Sequence, residues 1–483
     1  MVFPVIGGDG KPTGYEISNS YRIDDGSAVG MARFGNNSRN GNTFTISFWI
    51  KRTKLGEFQT IVTSKVEDSG VNAFLMSFQS NDTIKVQGQP ASGTGAGASR
   101  DYLQTSAVYR DVSAWYHIVY RLDTTQSTAS NRHRLYVNGV EQAKATDNPL
   151  DQNVGDAYFY NAGSYPYAIG NDERDNDYGN FYMAEHHYTD GVSNGPDAFG
   201  ETNDNGVWIP KEYTGSHGSY GHYLKFEQSG AGSGTTAVGE HDYTTGSSST
   251  IGADSSGNDN HFHVQGYSAE DNTTDTPTNN FCTLNFNHKS TANVLLSEGN
   301  LKAVLNQTSG WQHAAGTIAV KNGKWYWEAK ALNVAATDKT SIGVLQFDTS
   351  DVDFIGNTNT DRSAKGLSGH GAGVGSYSYA EGDIVMCGMD LDNNKVYWGK
   401  NGTWFGDLDP AAGSGSTTQT ISNANFCVPV VGGYADSSWE MNFGVPQFSI
   451  SSGNADANGY GNFEYAVPSG FYALCTKNLA EYG

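Results

Sequence analysis

Short runs in which apolar and polar residues alternate constrain the fold of this chain more than any other feature. In residues 44–51 every second side chain is apolar, and residues 115–122 repeat the same period of two. Such alternation places one set of side chains on each face of a β-strand. Patterns with the 3.6-residue period of a helix are scarce. We therefore expect a chain built almost entirely from half-buried β-strands.

Asn-Gly pairs punctuate these runs. Asn138-Gly139, Asn322-Gly323 and Asn401-Gly402 stand beside β-forming residues, and both residue types tolerate the positive φ angles of tight hairpin turns. Residues 383–398 have the pattern of a strand, a turn and a second strand. Many short strands joined by polar, glycine-rich turns indicate antiparallel sandwiches. The predicted fold class is all-β, with two antiparallel β-sandwich domains of jelly-roll type in tandem.

Composition predicts the domain boundary. Residues 268–280 are polar, acidic and almost free of apolar side chains, which is typical of an exposed linker. The linker separates a first sandwich at residues 16–267 from a second at residues 281–483. Residues 1–15 are either an extended arm that docks onto another protein or a first strand with a frayed end. The Gly/Ser/Thr-rich residues 229–258 are either an ordered excursion of the first domain or a mobile surface loop.

The charge balance bears on the partners. The 483 residues include 29 Lys and Arg against 51 Asp and Glu, a formal net charge of −22. An acidic surface repels phosphate groups, so neither nucleic acid nor anionic lipid is an expected partner. No apolar run approaches the roughly 18–20 residues of a membrane helix, and the N-terminus lacks the features of a secretory signal peptide. The 4 cysteines have no CxxC spacing and are expected to be buried free thiols.

Three segments of the first half follow one another in the order and spacing of successive lectin strands: residues 44–51, 115–123 and 134–141. On these segments the first half resembles the concanavalin A-like, laminin-G-like lectin/glucanase superfamily. Three further segments are similar to parts of tailed-bacteriophage structural proteins: residues 184–191, 206–216 and 251–262. The resemblance implies a lectin-like sandwich that carries a phage-specific extension.

The second half carries five blocks in an order typical of one family: residues 323–328, 341–344, 382–392, 396–402 and 439–444. On these blocks it resembles a SPRY domain, a sandwich that binds its ligands, often proteins, through loops at one rim. The tandem of both domains is similar to tail-fibre or virion proteins of marine phages. This resemblance implies a location in the virion, assembled in the host cytoplasm. It also implies other virion proteins as partners and, by analogy with fibres, a homotrimer.

Because the superfamily includes glucanases, catalysis has to be weighed. Glycoside hydrolysis needs two carboxyl groups about 5–10 Å apart, and the family's Glu-x-Asp-x-Glu signature is absent. Glu185 has no second carboxylate near it in sequence. Asp390 and Asp392 end a predicted strand, where capping of the turn is their expected role. His186 and His187 are adjacent and would point to opposite faces of a strand, so they cannot chelate one ion together. We predict no catalytic residues.

One acidic loop is a candidate metal site. Residues 171–177 contain four carboxylates, and Ca²⁺ prefers several hard oxygen ligands. Laminin-G-like domains often hold calcium at a loop rim, so the resemblance favours a weak Ca²⁺ site formed by Asp172, Asp175 and Asp177. Arg174 lies in the middle of this loop, and the alternative is a solvated acidic loop without metal.

Aromatic side chains on loops are the candidates for ligand contact, because they offer apolar area together with a polar group. The candidates are Tyr165, Tyr167, Tyr178, Tyr377, Tyr379 and Trp404. The alternative for each of them is ordinary packing within the protein. Four tryptophans within strand patterns are assigned to structure: Trp49, Trp115, Trp325 and Trp327.

Together these features predict a tail-fibre-like virion appendage that recognises the host surface. It would bind a surface glycan or a surface protein without cleaving it. The main alternative is a capsid- or tail-attached structural protein that uses both sandwiches for protein contacts. A polysaccharide depolymerase is a third alternative.

Overall fold

The computed structural model describes most of the chain: residues 14–24, 29–34, 40–64, 74–94, 100–156, 166–171, 178–238, 241–306, 311–334, 340–346, 364–368, 378–415, 419–421, 425–433 and 437–483. The chain divides into two compact units, Pro12–Thr278 and Asn279–Gly483. Strands dominate the described ranges of both units, which confirms the predicted all-β class.

The first unit contains twenty described strands: β1 (Ser20–Ile23), β2 (Gly30–Phe34), β3 (Thr43–Arg52), β4 (Gln59–Thr63), β5 (Phe74–Phe78), β6 (Ile84–Gly88), β7 (Arg100–Thr105), β8 (Tyr116–Asp123), β9 (His133–Val137), β10 (Val140–Glu141), β11 (Lys144–Asp147), β12 (Pro166–Ile169), β13 (Phe181–Asp190), β14 (Gly200–Thr202), β15 (Trp208–Pro210), β16 (His222–Leu224), β17 (Thr235–Val238), β18 (His241–Thr244), β19 (His263–Gln265) and β20 (Asn272–Thr273). Short 3-10 turns occur at Ala129–Asn131, Pro196–Ala198 and Ala269–Asp271.

Two antiparallel sheets share the core of the first unit. The first sheet has the order β10-β9-β8-β3-β13-β1-β20, with β16 also paired to β13. The second sheet has the order β11-β7-β6-β5-β4-β12-β2-β19-β18-β17. Strands β14 and β15 form a separate hairpin. Because β17 and β18 extend the second sheet, residues 229–258 include an ordered excursion of this unit.

Strand β3 shows where the alternation pattern was right and where it was incomplete. Phe44, Ile46, Phe48 and Ile50 face the core between the sheets, as predicted. The opposite face of β3 is also buried, which the expectation of half-buried strands missed. Residues 14–19 and the β14–β15 hairpin cover this outer face, where Tyr15 and Trp208 pack against the buried cluster that contains Trp49. The alternation thus fixed the faces of the strand, but distant segments decided their burial.

Residues 268–278 belong to the first unit, so the predicted exposed linker at 268–280 is wrong for them. Strand β20 pairs with β1. Asp271 accepts a hydrogen bond from Arg22 at 3.0 Å, and both side chains are buried. Asp275 lies 2.6 Å from the buried ammonium group of Lys51. The segment is acidic because its carboxylates pair with buried cations, and composition alone could not distinguish this from solvation.

The second unit contains fourteen described strands: β21 (Leu284–Lys289), β22 (Val294–Ser297), β23 (Lys302–Leu305), β24 (Gln312–Gly316), β25 (Lys324–Asn333), β26 (Thr340–Gln346), β27 (Ala364–Ser368), β28 (Ile384–Asp390), β29 (Lys395–Lys400), β30 (Thr403–Trp404), β31 (Gln419–Thr420), β32 (Cys427–Gly433), β33 (Ser437–Asn442) and β34 (Tyr472–Ala473). One α-helix, α1 (Thr476–Tyr482), follows them.

These strands form two sheets around a second core. One sheet has the order β21-β24-β32-β26-β27, and the other has the order β22-β23-β33-β25-β28-β29-β30. Four fully buried tryptophans dominate the core: Trp325, Trp327, Trp398 and Trp439. Trp49 and Trp115 of the first unit are buried too, so the structural role predicted for the four strand tryptophans is confirmed. All 4 cysteines are free and buried, as expected.

Two of the three Asn-Gly pairs form hairpin turns. Asn138 and Gly139 adopt positive φ angles of 48° and 78° between β9 and β10, and Asn401 and Gly402 adopt 49° and 83° between β29 and β30. Asp390 accepts hydrogen bonds from the backbone and side chain of Asn393. The turn-capping role predicted for Asp390 is therefore confirmed.

We predict that replacing Asp271 with Ala lowers the free energy of unfolding by about 3 kcal/mol, because it leaves the Arg22 guanidinium buried beside an empty position. Urea denaturation of the full chain measures the change. Glu270→Ala is the matched control, since it removes the same charge from a half-buried neighbour and is expected to cost less than about 1 kcal/mol. Equal losses in both variants would contradict a structural role for the Arg22–Asp271 pair.

Candidate functional site on the outer face of the first sheet

A β-bulge in β13 brings an acidic side chain onto the outer face of the first sheet. The pairing of β13 with β3 shifts register between Ala184 and His187, and Glu185 has a positive φ of 51°. Met183 and Tyr188 face the core, whereas Ala184 faces outward. The extra residue of a bulge resets the alternation. Glu185 therefore joins the outward-facing residues without displacing the core residues on either side.

The carboxylate of Glu185 is enclosed by two tyrosines. Glu185 is only 6% exposed, and its Oε2 accepts hydrogen bonds from the hydroxyls of Tyr223 at 2.5 Å and Tyr15 at 3.1 Å. The two hydroxyls are themselves 2.7 Å apart. Burial raises the pKa of Glu185 to about 7, against the lowering effect of the Tyr223 and Tyr15 hydrogen bonds and of Lys225. This carboxyl group therefore changes its charge near neutral pH.

Imidazole and phenol rings stack beside Glu185. His187 Nε2 is 3.6 Å from Glu185 Oε2, and the ring of His187 stacks on Tyr223 with centroids 4.1 Å apart. His187 Nδ1 also shares a hydrogen bond with His217 Nε2 at 3.1 Å. Burial lowers the pKa of His187 to about 3. Burial also lowers the pKa of His217 to about 4, and the neighbouring His187 adds to this lowering. Both rings are neutral at physiological pH.

The stack extends toward the surface through the covering segment, residues 199–213, which includes the β14–β15 hairpin. The ring centroids of Phe199 and His187 are 5.1 Å apart, and Tyr213 stacks on Phe199 with centroids 4.6 Å apart. Trp208 lies across Gly139 and Gly200, where an added Cβ atom would meet the indole ring at 2.5 Å at either position. Both glycines are thus required for the close approach of Trp208. Trp208 and Tyr213 are half-buried, and they bring the aromatic cluster to the surface.

Ser47 and His117 are hydrogen-bonded but do not form a nucleophile–base pair. Ser47 Oγ is 2.9 Å from His117 Nε2, and the indole N–H of Trp208 donates to His117 Nδ1 at 3.0 Å. Burial lowers the pKa of His117 to about 3, so the ring is neutral. Because an indole can only donate, the single ring proton of His117 must be on Nε2. That nitrogen donates to Ser47 and cannot accept its proton.

His186 belongs to a different cluster from His187, as predicted. It faces the core, where Nε2 is 3.1 Å from the Tyr167 hydroxyl and Nδ1 is 3.2 Å from His222 Nε2. The two adjacent histidines therefore cannot bind one ion together. In the part of the chain that the structure describes, no three His, Cys, Asp or Glu side chains are grouped to hold a metal ion.

A small recess marks the centre of the outer-face cluster. Its lining comprises Ser47, Trp49, His117, Glu185, His187, Phe199, Pro210 and Lys211. Lys211 is exposed, while most of the other side chains are buried beneath the covering segment. Glu185 is the single carboxylate among the lining residues. The recess combines aromatic faces, neutral imidazoles and one carboxyl group.

The structure disperses the residues that the sequence singled out. Tyr165, Tyr377, Asp172, Asp175, Asp177 and nearly all of the 1–15 arm lie outside the described residues. Two further candidates, Tyr167 and Tyr379, have buried side chains. Tyr167 lies within β12 and packs in the core, and the Tyr379 hydroxyl donates to the backbone oxygen of Thr340. Neither presents a surface to a ligand.

Two of the candidates keep partial exposure. Tyr178 is half-buried just before β13, and burial raises its pKa. Trp404 is half-buried on β30 and packs edge-on against Tyr326 with ring centroids 6.4 Å apart. These two residues lie in different units. Neither belongs to the recess, so the binding prediction for each stays a prediction.

Sequence reasoning missed the residues that do come together. Glu185 has no second acid near it in sequence, and Tyr15, Tyr223 and His217 belong to no motif. Their partners are distant in sequence, with Tyr15 and Glu185 separated by 170 positions. The one usable signal was the break in alternation at Ala184-Glu185-His186 within a strand-like segment. A bulge explains that break, but only the pairing with β3 reveals it.

Comparison with known proteins supports the predicted character of the first unit. Residues 25–196 match the model of the concanavalin A-like lectin/glucanases superfamily, laminin-G type. This match confirms the resemblance that the strand segments of the first half indicate. No curated protein matches the chain. None of the helices in the described ranges has both the length and the apolarity to cross a membrane.

Several solved structures are similar to parts of the chain. The SPRY domain of human HERC1 is 16% identical and covers 33% of this chain and 96% of its own, with a TM-score of 0.25. A putative carbohydrate binding protein from Bacteroides ovatus is 13% identical over 52% of this chain and 58% of its own, with a TM-score of 0.30. A Trypanosoma rangeli sialidase is 12% identical over 31% of this chain and 20% of its own, with a TM-score of 0.22.

Replacing Glu185 with Gln should stabilise the protein at pH 8 by about 1–3 kcal/mol and have little effect at pH 5. Burial raises the pKa of Glu185 from 4.5 to about 7, so the folded state binds this proton more tightly than the unfolded chain does. The stability from this group is full below about pH 4.5 and is lost as the pH rises through about 7. Gln stays neutral throughout. Urea denaturation at both pH values measures the difference.

Glu212→Gln is the matched control for this experiment. Glu212 is an exposed carboxylate near Tyr15, so its replacement should change stability similarly at both pH values. The neutral histidines of the cluster contribute a slope of opposite sign, since they lose stability as the pH falls below about 6.5. That slope is common to all three proteins and cancels in the comparison. A Glu185→Gln effect that does not vary with pH would contradict the assignment.

The calcium prediction has its own test. If Asp172, Asp175 and Asp177 bind Ca²⁺, millimolar Ca²⁺ should raise the melting temperature and EDTA should reverse the change, because a ligand that binds the folded state stabilises it. The triple replacement of these residues by Asn should abolish the response. A melting temperature that neither reagent moves would contradict the site.

Proposed function

We propose that this protein binds a cell-surface glycan without cleaving it and serves as the host-recognition component of a bacteriophage virion. The observation that carries the proposal is the aromatic cluster of the first sheet, which reaches the surface at Trp208 and Tyr213. Sugar rings bind through apolar C–H faces against aromatic rings and through hydrogen bonds to their hydroxyl groups.

The covering segment offers both kinds of contact at one place. The ring of Tyr213 stacks on Phe199, and the ring of Trp208 lies over the next residue, Gly200. Tyr213 and Trp208 are therefore supported by neighbouring positions. Lys211 and Glu212 between them are exposed, and they supply a donor and an acceptor for sugar hydroxyls. The match of residues 25–196 to a lectin-containing superfamily supports a glycan as the ligand.

Binding without cleavage is supported by the chemistry of the recess. The described residues that line it provide one carboxylate, Glu185, whereas the usual glycosidase mechanisms need two. The Nε2–H of His117 donates to Ser47, so His117 cannot accept the hydroxyl proton and Ser47 is not activated as a nucleophile. The site therefore holds groups suited to recognition.

The assignment to a virion is supported by the segments that resemble phage structural proteins. Residues 184–191 contain the Glu185 bulge, residues 206–216 include β15 and Tyr213, and residues 251–262 hold Asp254, which accepts from the Tyr223 backbone N–H at 2.8 Å. The phage-like segments thus contribute several residues to the candidate site. We expect other virion proteins as partners and a homotrimer in solution, which light scattering of the purified protein measures.

We predict that the full chain binds at least one polysaccharide on an array of bacterial surface glycans. Tyr213→Ala and Lys211→Ala should each weaken that binding on the order of tenfold, as loss of a central contact does. Phe426→Ala is the matched control, because it removes an exposed aromatic ring from the second unit and should leave the affinity unchanged. A reducing-end assay on the bound polysaccharide should detect no cleavage.

The outcomes separate the alternatives. Absence of glycan binding, together with capture of a virion protein, would favour a structural role in the particle. New reducing ends would identify a depolymerase. Loss of binding in Trp404→Ala but not in Tyr213→Ala would move the ligand site to the second unit and overturn the site proposed in the first.

A further inference from the structure

A lysine and an aspartate meet in an enclosed position of the first unit. Lys51, the second-to-last residue of β3, places its Nζ 2.6 Å from Oδ2 of Asp275. Their side chains are 0% and 1% exposed, so bulk water does not reach the contact. The two residues are 224 positions apart in sequence. This contact joins a central strand of the first sheet to the C-terminal end of the unit.

The surroundings of the pair are aromatic. Lys51 Nζ lies 5.3 Å from the centroid of the Tyr182 ring, and the indole N–H of Trp115 donates to Asp275 Oδ1 at 3.3 Å. Tyr182 and Trp115 are both buried. Charged groups lose most of their hydration in such a place, and their mutual attraction compensates only in part. A reaction that removes both charges is favoured there.

Backbone contacts hold the carboxyl group in place. The backbone N–H of Asp275 donates to Thr273 Oγ1 at 2.9 Å, and its backbone oxygen accepts from Ser20 Oγ at 2.6 Å. Lys51 is fixed by the pairing of β3 with β13, where it stands opposite Tyr182. Two reactive groups held in contact behave as one molecule, which lowers the entropic barrier to bond formation.

We propose that Lys51 and Asp275 condense to form an isopeptide bond. The ammonium group of Lys51 first passes a proton to Oδ2 along the hydrogen bond, which leaves a neutral amine beside a carboxylic acid. The amine nitrogen then attacks Cγ, and the N–Cγ bond forms as the C=O electron pair moves onto Oδ1. The Trp115 N–H, already directed at Oδ1, stabilises the negative charge that develops there.

The second half of the reaction releases water. The electron pair on Oδ1 re-forms the carbonyl, the Cγ–Oδ2 bond breaks, and Oδ2 leaves with its proton and one further proton from the nitrogen. The ammonium and the carboxylate thus become one amide and one water molecule. No oxidant or other reactant is needed, because no atom changes its oxidation state.

Other ion pairs of the protein provide comparisons. Arg22–Asp271 and Arg52–Asp82 are equally buried, but a guanidinium that stays protonated is not a nucleophile. Lys324–Asp390 has an amine, yet its atoms are 3.2 Å apart and Lys324 is 25% exposed. Lys324–Asp390 is therefore an internal control that should keep its two separate side chains.

Mass spectrometry of the purified full chain under denaturing conditions tests the proposal. The wild-type protein should be lighter than its sequence mass by one water molecule. Trypsin should fail to cut after Lys51, and one peptide should contain the Lys51 and Asp275 segments in covalent linkage. Lys51→Arg and Asp275→Ala should each restore the full sequence mass, and Trp115→Phe should slow the loss of water.

The wild-type mass decides the matter even if a variant does not fold. A full sequence mass that persists through days of incubation of the folded protein, with normal cleavage after Lys51, would overturn the proposal. So would a loss of water that Asp275→Ala retains, since the bond would then lie elsewhere. Normal cleavage after Lys324 is expected throughout, and a cross-link at that position would contradict the requirement for complete burial.

Discussion

The first sheet is covered on both faces, and this constraint governs the rest of the first unit. Every residue of β13 except its last is buried, so each polar side chain on the outer face must find a partner inside the protein. Glu185 pairs with two tyrosines, Ser47 with His117, and His187 with His217. The candidate site is a consequence of this requirement, because the partners come both from strands of the first sheet and from the residues that cover it.

Burial decides the charges in this layer. The histidines of the cluster are neutral because desolvation outweighs any stabilisation of a cation, and the same effect keeps the Glu185 carboxyl near its titration point at neutral pH. The tautomer of His117 follows from a donor-only neighbour, Trp208. In this layer of neutral rings with one acid, the polar groups form hydrogen bonds and the rings stack within the protein.

The fold was predictable to a larger extent than the site. Alternation in β3 predicts the correct core face, and Asn138-Gly139 and Asn401-Gly402 fall where hairpins occur. Tyr167 and Tyr379 are buried, because burial depends on segments that are distant in sequence and not on the local pattern around a tyrosine. Glu185 was missed because a bulge depends on the register of two strands, which no local window contains.

The sequence by itself determined the all-β class, the faces of the strands and the turns, since these depend on side-chain period and on φ preferences within a few residues. Only the tertiary structure decided that residues 268–278 complete the first unit and that an acidic side chain joins Tyr15 and Tyr223. Those outcomes depend on contacts between distant segments, since Tyr15 and Glu185 are 170 positions apart and Lys51 and Asp275 are 224 positions apart. Local preferences act over single strands, whereas burial is a property of the assembled layers.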